Sequence, residues 1–341
     1  MVISVGDISV GDISVGDINL DGQVVLAPMS GVTDLAFRRS VAACGAAMVV
    51  SEMVASEELV RGRRDVLLRA EGSGLSPFTL QLAGRETQWM AQGARLATEV
   101  GADIIDINMG CPSRRVTGGL SGSALMRDET HAAALIGATV AATPRPVTLK
   151  MRLGWDHNSL NAPSLARIAE DLGVAMITVH GRTRCQFYKG SADWRAIRAV
   201  VDAVRVPVIA NGDIVDGASA NLALAQSGAA GIMVGRAAIG RPWLLAQIQS
   251  YLAREIWPAP PTGAARFDIF RDWYLHTLAL YDESHGVRVA RKHLAGFIDD
   301  FCNATAAAHW RGHICRQQEP HAVIDSMQEM FLRGHETGIA A

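Results

Sequence analysis

The sequence predicts a parallel eight-stranded (β/α)8 barrel, the TIM barrel, followed by a small C-terminal all-helical domain. Short β-branched apolar runs alternate with alanine-rich helical stretches, as in the βα units of a parallel sheet. Polar side chains recur where these runs end, which is the face on which TIM barrels carry their sites. After a proline-rich stretch the strand pattern stops, and only helical periodicity follows.

Eight apolar runs supply the predicted strands. A doubly wound sheet would more often have five to seven strands and an early Gly-x-Gly-x-x-Gly motif, so the barrel is favoured. The runs are residues 24–29, 48–53, 78–83, 104–108, 147–151, 176–180, 208–211 and 231–234.

The chain divides into three predicted segments. Residues 1–20 contain Ser-Val-Gly-Asp-Ile three times in tandem. Because this period fits neither a solenoid nor a propeller, we interpret the segment as a duplicated hairpin lead-in or a frayed tail without function. The barrel domain occupies residues 21–256. After a proline-rich linker, residues 262–341 form the helical domain, with predicted amphipathic helices at 267–280 and 287–301.

Composition indicates a soluble globular protein, since 49% of the 341 residues are apolar and 19% are charged. Five cysteines without Cys-x-x-Cys spacing argue against a disulfide framework or a cysteine zinc site, and fit a reducing compartment. The N-terminus lacks a basic segment followed by an apolar core, and no run approaches the roughly 18 apolar residues of a membrane span. We therefore predict a cytoplasmic protein that does not enter membranes.

The formal net charge of −2 excludes a global attraction to nucleic acid, so any such binding requires a local basic surface. His309, His313 and Cys315 have a spacing compatible with a metal on one helical face, but a fourth ligand is lacking. We interpret this segment as an exposed histidine-rich helix. The sequence thus predicts no metal and indicates no protein partner.

Polar or charged residues end every predicted strand or follow it closely. A single residue of this kind would more often be a cap or a turn former, whereas a set from many strands favours an active site. The set comprises Ser30, Glu52, Gln81, Asn108, Cys111, Lys150, Arg152, His180, Arg182, Asn211, Asp213 and Arg236.

Cys111 follows the fourth predicted strand within Asp-Ile-Asn-Met-Gly-Cys-Pro, residues 106–112. The glycine before it and the proline after it fix its approach, which favours a thiol presented at the strand's exit. The alternative is a buried cysteine that behaves as a small hydrophobe, as free cysteines commonly do. A thiol with the reference pKa of about 8.5 stays largely protonated at neutral pH and suits a general acid.

The loops after the seventh and eighth strands contain Asn-Gly-Asp-Ile at 211–214 and Val-Gly-Arg-Ala at 234–237. In TIM barrels these loops commonly bind phosphate through backbone N–H groups and a helix N-terminus. Gly212 and Gly235 would let the backbone approach the anion, and Arg236 would add a positive charge. Ordinary turn glycines are the alternative. We favour a ligand that carries a phosphate.

Lys150 and His180 leave several chemistries open. Lys150 suits a Schiff-base nucleophile or a cation beside an electron-rich ring. His180 suits a proton donor, a phosphate ligand or a structural histidine. Taken with Cys111, Gln81, Asn108 and the phosphate loops, they suit FMN bound across the barrel mouth, with Lys150 near the pyrimidine edge of its ring.

Six motifs, in this order along the chain, carry a resemblance to a known family. They are Ala-Pro-Met-Ser-Gly-Val-Thr-Asp (27–34), Asn-Met-Gly-Cys-Pro (108–112), Leu-Lys-Met-Arg (149–152), His-Gly-Arg-Thr-Arg (180–184), Asn-Gly-Asp (211–213) and Ala-Arg-Lys-His (290–293). With them the chain resembles the tRNA-dihydrouridine synthase family, in particular its bacterial B branch, once called the nitrogen-regulation type. The resemblance extends from about Leu26 to Phe301.

The resemblance implies an FMN enzyme that uses NADPH to reduce selected uridines of tRNA to 5,6-dihydrouridine. It implies that reduced flavin gives hydride to uracil C6, that Cys111 protonates C5, and that Asn108 lies beside the target base. The flavin contacts it implies are Pro28, Met29, Ser30, Gln81, Lys150, His180, Asn211, Gly212, Asp213, Gly235 and Arg236.

A basic rim at the barrel mouth would supply the local tRNA contacts that the net charge does not. The target base must leave its stack to reach a flavin, so we expect the helical domain to hold the tRNA while the barrel accepts one base. A solvated face without function is the alternative. The candidate rim residues are Arg61, Arg63, Arg64, Arg69, Arg114, Arg115, Arg182, Arg184 and Lys189, with Arg291 and Lys292 from the helical domain.

Two stretches depart from the family pattern. Residues 118–120 are Gly-Gly-Leu where many relatives carry a basic residue, and residues 294–297 are Leu-Ala-Gly-Phe where an aromatic pair is commoner. Both concern RNA contact more than flavin chemistry. They leave open which uridines are reduced.

Three other functions compete with this one. The first is a flavin enzyme that reduces a free pyrimidine or an enone. The second is a Schiff-base aldolase that uses Lys150, which would show no flavin spectrum. The third is a regulator or an RNA-binding module without catalysis, which would tolerate Cys111→Ala without loss of function.

Overall fold

The computed structural model describes residues 13–333. Eight parallel strands close into a barrel. The strand β3 (Val24–Leu26) pairs with both β4 (Met48–Val50) and β11 (Gly231–Val234), and β4 also pairs with β6 (Phe78–Ala83). The short strand β5 (Val54–Ala55) extends one side of β6. The barrel strands are β3 (Val24–Leu26), β4 (Met48–Val50), β6 (Phe78–Ala83), β7 (Ile104–Met109), β8 (Val147–Arg152), β9 (Met176–His180), β10 (Val208–Asn211) and β11 (Gly231–Val234).

The predicted TIM barrel with C-terminal helices is confirmed. Helices connect the strands and pack around them, and four more helices follow the barrel. The barrel helices are α1 (Leu35–Ala43), α2 (Ser56–Val60), α3 (Arg64–Ala70), α4 (Thr87–Glu99), α5 (Arg114–Thr117), α6 (Glu129–Val140), α7 (Ala162–Asp171), α8 (Trp194–Val201), α9 (Gly217–Ser227) and α10 (Leu244–Arg254), with 3₁₀ turns at Gly122–Arg127 and Arg236–Ala238.

The first two barrel strands are shorter than predicted. The runs 24–29 and 48–53 end as strands at Leu26 and Val50. Pro28 has no N–H to continue the ladder, and the carbonyl of Met29 accepts hydrogen bonds from the N–H groups of the two residues that close a turn. The chain therefore leaves the barrel earlier here, and residues predicted to bind a ligand lie in a turn.

A hairpin closes the amino-terminal end of the barrel. Strands β1 (Ile13–Val15) and β2 (Ile18–Leu20) pair antiparallel and contain the last copy of the pentapeptide repeat. Ile13, Val15 and Leu20 are buried in one cluster with Met48 and Met176. Each such burial contributes roughly 1.5–3 kcal/mol. For residues 13–20 the structure therefore agrees with the hairpin interpretation and not with the frayed-tail alternative. Residues 1–12, which contain the first copy of the repeat and most of the second, lie outside the residues that the structure describes.

The helical region packs directly against the barrel. It comprises α11 (Gly263–Leu280), α12 (Glu283–Phe301), α13 (Ala304–Ile314) and α14 (Pro320–Arg333). A Cβ at Gly240 of the barrel would lie 2.2 Å from the backbone of Gly296 and Phe297 on α12. The unusual glycine at 296 thus has a structural explanation, because it permits backbone-to-backbone contact.

No helix between residues 13 and 333 combines the length and the apolar character that crossing a bilayer requires.

Candidate active site at the carboxyl end of the barrel

Five neighbouring strands each bring one predicted residue to the same region of the barrel. These residues are Gln81 on β6, Asn108 on β7, Lys150 on β8, His180 on β9 and Asn211 on β10. In the strand ladder Asn108 lies opposite Lys150, and Asn211 lies opposite His180. The register therefore assembles a polar cluster from residues far apart in sequence.

The turn after β3 presents the first predicted segment. The carbonyl of Met29 accepts hydrogen bonds from the N–H groups of Val32 and Thr33 at 3.0 Å, and the Thr33 hydroxyl accepts one from the Met29 N–H at 2.9 Å. This closed turn leaves Ser30 exposed and Pro28 partly exposed.

A chain of hydrogen bonds runs from β8 through the barrel interior to Cys111. The Thr148 hydroxyl donates to Asp106 Oδ1 at 2.6 Å, and Gln81 Nε2 donates to Asp106 Oδ2 at 2.7 Å. Asn108 Nδ2 donates to Gln81 Oε1 at 2.8 Å, and Asn108 Oδ1 accepts from the Cys111 N–H at 3.1 Å. Burial raises the pKa of Asp106, and the hydrogen bonds from Thr148 and Gln81 oppose that rise. The four side chains between β6 and β8 are buried.

Cys111 is fixed through its backbone while its side chain remains partly exposed. Its carbonyl accepts hydrogen bonds from the Ser123 N–H at 3.1 Å and the Ser123 hydroxyl at 2.8 Å. The carbonyl of Gly110 accepts one from Arg152 Nε at 2.8 Å. The structure therefore favours the presented thiol over the buried-hydrophobe alternative.

Lys150 is buried, and its Nζ donates to Asn211 Oδ1 at 3.0 Å. Asn211 Nδ2 in turn donates to the Met233 carbonyl at 2.7 Å, which fixes the orientation of the amide. Burial, and then the positive charge of Arg152, lower the pKa of Lys150 to about 8, against the opposing charge of Asp106. An ammonium group has three N–H donors, so this lysine retains donors for a ligand.

His180 is a neutral donor rather than an acid. Burial, followed by the positive charges of Lys150, Arg152, Arg182 and Arg236, lowers its pKa well below the ordinary value. Its Nε2 lies 3.3 Å from Arg182 Nη1, and since a guanidinium has no acceptor, Nε2 accepts. The proton of the neutral ring is therefore on Nδ1, which is free to donate to a ligand.

Arg182 differs from the expectation that it lies on the rim, because its side chain is only 2% exposed. Its guanidinium donates to both carboxylate oxygens of Asp213, at 3.0 and 2.5 Å, and to the carbonyls of Lys189 and Gly190. With His180 Nε2, these partners are two backbone carbonyls, one imidazole and one partly exposed carboxylate. The structure therefore places Arg182 where it holds the loop that carries Asp213, and the tRNA contact of Arg182 stays a prediction.

Gly212, next to Asp213, has a φ of +115°, and a Cβ there would lie 2.8 Å from Ala192 and 3.0 Å from His180. Glycine is thus required at the position predicted to approach a phosphate. Arg236, at the other predicted phosphate loop, has a side chain 63% exposed and lies 3.8 Å from Asp213. The exposed ring of Tyr188 lies 4.9 Å from its guanidinium carbon. Gly235 leaves ordinary contact space beside Met29.

The helical region reaches the turn after β3. Lys292 Nζ donates to the Gly31 carbonyl at 3.1 Å, and His293 Nε2 lies 3.1 Å from the Val32 carbonyl. His293 is buried, and burial lowers its pKa to about 4, so it is neutral. Arg291 is partly buried. The motif predicted to contact RNA therefore also fixes the turn that carries Ser30, which sequence reasoning missed.

Three of the other predicted rim residues pair with carboxylates, whereas Arg64, Arg114 and Arg115 are exposed without a carboxylate partner among the described residues. Arg61, Arg63 and Arg69 form exposed ion pairs with neighbouring carboxylates. Arg184 is partly buried, and its guanidinium lies over the ring of Trp155 at 4.5 Å. Lys189 remains exposed. The basic surface is thus weaker than a count of its residues indicates.

Sequence reasoning also missed Asp106 and Thr148. A signal was available for the first, because residues two apart in a strand face the same side and Asp106 lies two before Asn108. Thr148 likewise lies two before Lys150 on β8. Tyr188 carries no such signal, since it lies in a loop.

The sequence profile of a family described as Dihydrouridine synthase (Dus) matches residues 25–333. The chain belongs to the dihydrouridine synthase family. The family predicted from the motifs is therefore confirmed, and the oxidoreductase class with it.

Relatives of this dihydrouridine synthase cover nearly its whole length. It is 52% identical over 315 residues to a probable tRNA-dihydrouridine synthase of Rhodobacter capsulatus, covering 92% of this chain and 95% of that one. It is 42% identical over 312 residues to tRNA-dihydrouridine synthase B of Xanthomonas axonopodis pv. citri, covering 91% and 92%.

Solved structures show the same fold. A histamine dehydrogenase from Rhizobium sp. 4-9 superposes with a TM-score of 0.53 at 13% identity, covering 78% of this chain and 51% of that one. Morphinone reductase in complex with tetrahydroNAD gives a TM-score of 0.50 at 13% identity, covering 75% and 93%.

Proposed function

We propose that this dihydrouridine synthase uses FMN and NADPH to reduce uridine in tRNA, with Cys111 as the acid that protonates C5. The observation that carries the proposal is the position of Cys111, a partly exposed thiol held by Asn108 at the end of β7, with Lys150 opposite Asn108 on β8. The family match and the relatives named tRNA-dihydrouridine synthase support the substrate. A tRNA substrate is consistent with the cytoplasm.

The donor set fits FMN. An electron-rich flavin ring requires hydrogen-bond donors. Its phosphate requires a positive charge and backbone N–H groups that can approach it closely. Lys150 retains N–H donors in a buried position, and neutral His180 offers its Nδ1–H. Arg236 presents an exposed guanidinium beside Gly212 and Gly235. The remaining proposed contacts are Pro28, Met29, Ser30, Gln81, Asn211 and Asp213.

Bound FMN, once reduced by NADPH, would supply the hydride that uracil C6 receives. The chain's own residues then orient the base and supply the proton. Asn108 retains one amide N–H that its bonds to Gln81 and Cys111 do not use, and we propose that it contacts the base. The thiol of Cys111 would donate its proton to C5. Its position is fixed because the Cys111 N–H donates to Asn108 and the Cys111 carbonyl accepts from Ser123. Lys150 would stabilise the negative charge that develops on the ring beside it.

For tRNA we propose the helical region, α11 to α14, together with Arg184, Arg291 and Lys292. Lys292 is exposed although it donates to Gly31, so it retains N–H donors for a phosphate. The turn after β3 and helix α12, which this hydrogen bond joins, would then shift together when tRNA binds. The Schiff-base alternative for Lys150 loses support, because the family that the chain matches is named for dihydrouridine synthesis and not for an aldolase reaction.

The decisive experiment combines a spectrum with a tRNA assay. We expect the purified full-length protein to be yellow, with FMN released on denaturation, and to form dihydrouridine in unmodified tRNA when NADPH is added. A transcript in which each candidate uridine is replaced in turn would map the position. A colourless protein that neither binds FMN nor changes tRNA would contradict the proposal.

Arg236→Ala is expected to weaken FMN binding about tenfold to a hundredfold, since a hydrogen bond to a charged group contributes about 1.5–3 kcal/mol. The measurement is a titration of apoprotein with FMN by flavin fluorescence. Arg254→Ala, which removes an exposed arginine at the end of α10, is the control and should leave the affinity unchanged. Equal affinities for both variants would exclude Arg236 from the phosphate site.

A further inference from the structure

We propose that Asp106 is a positioning residue that fixes the direction of the hydrogen-bond chain, so that Asn108 faces a ligand only as an N–H donor. Its buried side chain lies beneath the site, with Thr148 on one oxygen and Gln81 on the other. The identity of the ligand rests on the proposed function. The direction of the chain rests on the hydrogen bonds alone.

The direction is set first at the carboxylate. Asp106 Oδ2 accepts a hydrogen bond from Gln81, so Gln81 turns its NH2 group toward Asp106 at 2.7 Å. Its carbonyl oxygen then faces Asn108, which must present its own NH2 group at 2.8 Å. Each amide thus determines the orientation of the next.

The direction is set again at the backbone end. The N–H groups of Gly110 and Cys111 point to Asn108 Oδ1, at 3.3 and 3.1 Å. Backbone N–H groups only donate, so this end requires an oxygen from Asn108, which agrees with the orientation imposed by Asp106. Both ends therefore lock two amides that would otherwise be free to rotate by 180°.

The locked amides make the site selective for acceptors. Each NH2 group uses one hydrogen within the chain and keeps one, while both amide oxygens are engaged. The oxygen of Asn108 already accepts two hydrogen bonds, so a ligand group beside Asn108 must be a carbonyl oxygen or another acceptor. An exocyclic amino group at that place would face a donor, which disfavours an aminopyrimidine and fits a uracil or the carbonyl edge of a flavin.

The test reverses the chain by exchanging its charged and amide ends. Asn108→Asp places carboxylates on both sides of Gln81, whose single NH2 group can satisfy only one. Adding Asp106→Asn supplies a donor for the Gln81 oxygen, so Gln81 can rotate and donate to the carboxylate at 108, which still accepts from Cys111. We expect Asn108→Asp to lower the Tm of the full-length protein by about 2–6 °C. The double variant should recover at least half of that loss.

Thr148→Val combined with Asn108→Asp is the matched control. It removes the hydrogen bond to the other oxygen of Asp106 but leaves the acceptor facing Gln81 in place. Its effect on Tm should therefore add to that of Asn108→Asp without any recovery. Additive losses in the Asp106→Asn, Asn108→Asp double variant would overturn the proposal, because residues 106 and 108 would then not be coupled through Gln81.

A second exchange serves where Asn108→Asp does not yield folded protein. Gln81→Glu opposes two carboxylates across the 2.7 Å bond, and Asp106→Asn added to it restores a donor there while Asn108 keeps its orientation. We expect the same recovery of Tm in this pair. An absence of recovery would again overturn the proposal.

The rate of uridine reduction separates this inference from the proposed function. The reversed chain of the first double variant leaves no N–H at position 108, so Tm should recover while dihydrouridine formation stays lost. If both recover, the donor role of Asn108 is wrong. If wild-type protein forms no dihydrouridine, the proposed function fails, whereas the coupling measured by Tm is unaffected.

Discussion

Cys111→Ala is expected to abolish uridine reduction while leaving FMN binding and the reduction of FMN by NADPH intact. General acid catalysis contributes typically 10²–10⁴-fold, so dihydrouridine formation should fall by about that factor. The variant keeps the backbone contacts of residue 111 with Asn108 and Ser123, because both use main-chain atoms. The site should therefore remain assembled, with only the proton donor missing.

The measurement is single-turnover dihydrouridine formation by reduced enzyme, set against the rate of flavin reduction by NADPH in the same preparation. Cys185→Ala removes an exposed thiol from the loop after β9 and is the control that should retain full activity. A Cys111→Ala enzyme with wild-type dihydrouridine formation would exclude the acid role. Equal loss of flavin reduction and uridine reduction would show that the substitution damages the flavin site instead.

The barrel was predictable because each strand is a short apolar run with a clear end. The predicted boundaries 78–83, 176–180, 208–211 and 231–234 coincide with strands of the structure. The prediction failed by a few residues at β3, where Pro28 and the turn around Met29 end the ladder although the apolar pattern continues. Local chemistry decided the strand end there, not periodicity.

The residues of the site were easier to predict than their contacts. Arg182 and Arg236 both follow barrel strands, yet the first is buried on Asp213 and the second is exposed. The difference arises from where the loop after β10 lies relative to the loop after β9, which depends on tertiary packing. For the same reason the contact of Lys292 with Gly31, 261 residues away in sequence, had no signal in either segment.

Asp213→Ala is expected to cause the largest loss of stability among single changes at the site. The substitution removes both oxygens that accept from Arg182, together with the acceptor of the Ala192 N–H. An arginine that stays buried without its partner costs about 3–5 kcal/mol. Because the Asp213 side chain is 31% exposed, we expect the lower end, about 3 kcal/mol, in the free energy of unfolding by urea.

The pH dependence of this loss identifies its electrostatic origin. Burial raises the pKa of Asp213, but hydrogen bonds from Arg182 and the Ala192 N–H, with the charges of Arg182 and Arg236, outweigh it and leave the pKa below its ordinary value of 3.8. A depressed carboxyl pKa stabilises the folded state above the unfolded value and ceases to do so as the pH falls through the folded one. The difference in the free energy of unfolding between wild type and Asp213→Ala should thus be largest at pH 7 and become smaller below pH 3.8.

Arg236→Ala is the control, because it removes only the exposed partner of Asp213 at 3.8 Å. It should change the free energy of unfolding by no more than about 1 kcal/mol. Equal losses in the two variants, or a loss that does not narrow in acid, would show that the loop depends on packing and not on the Arg182–Asp213 pair.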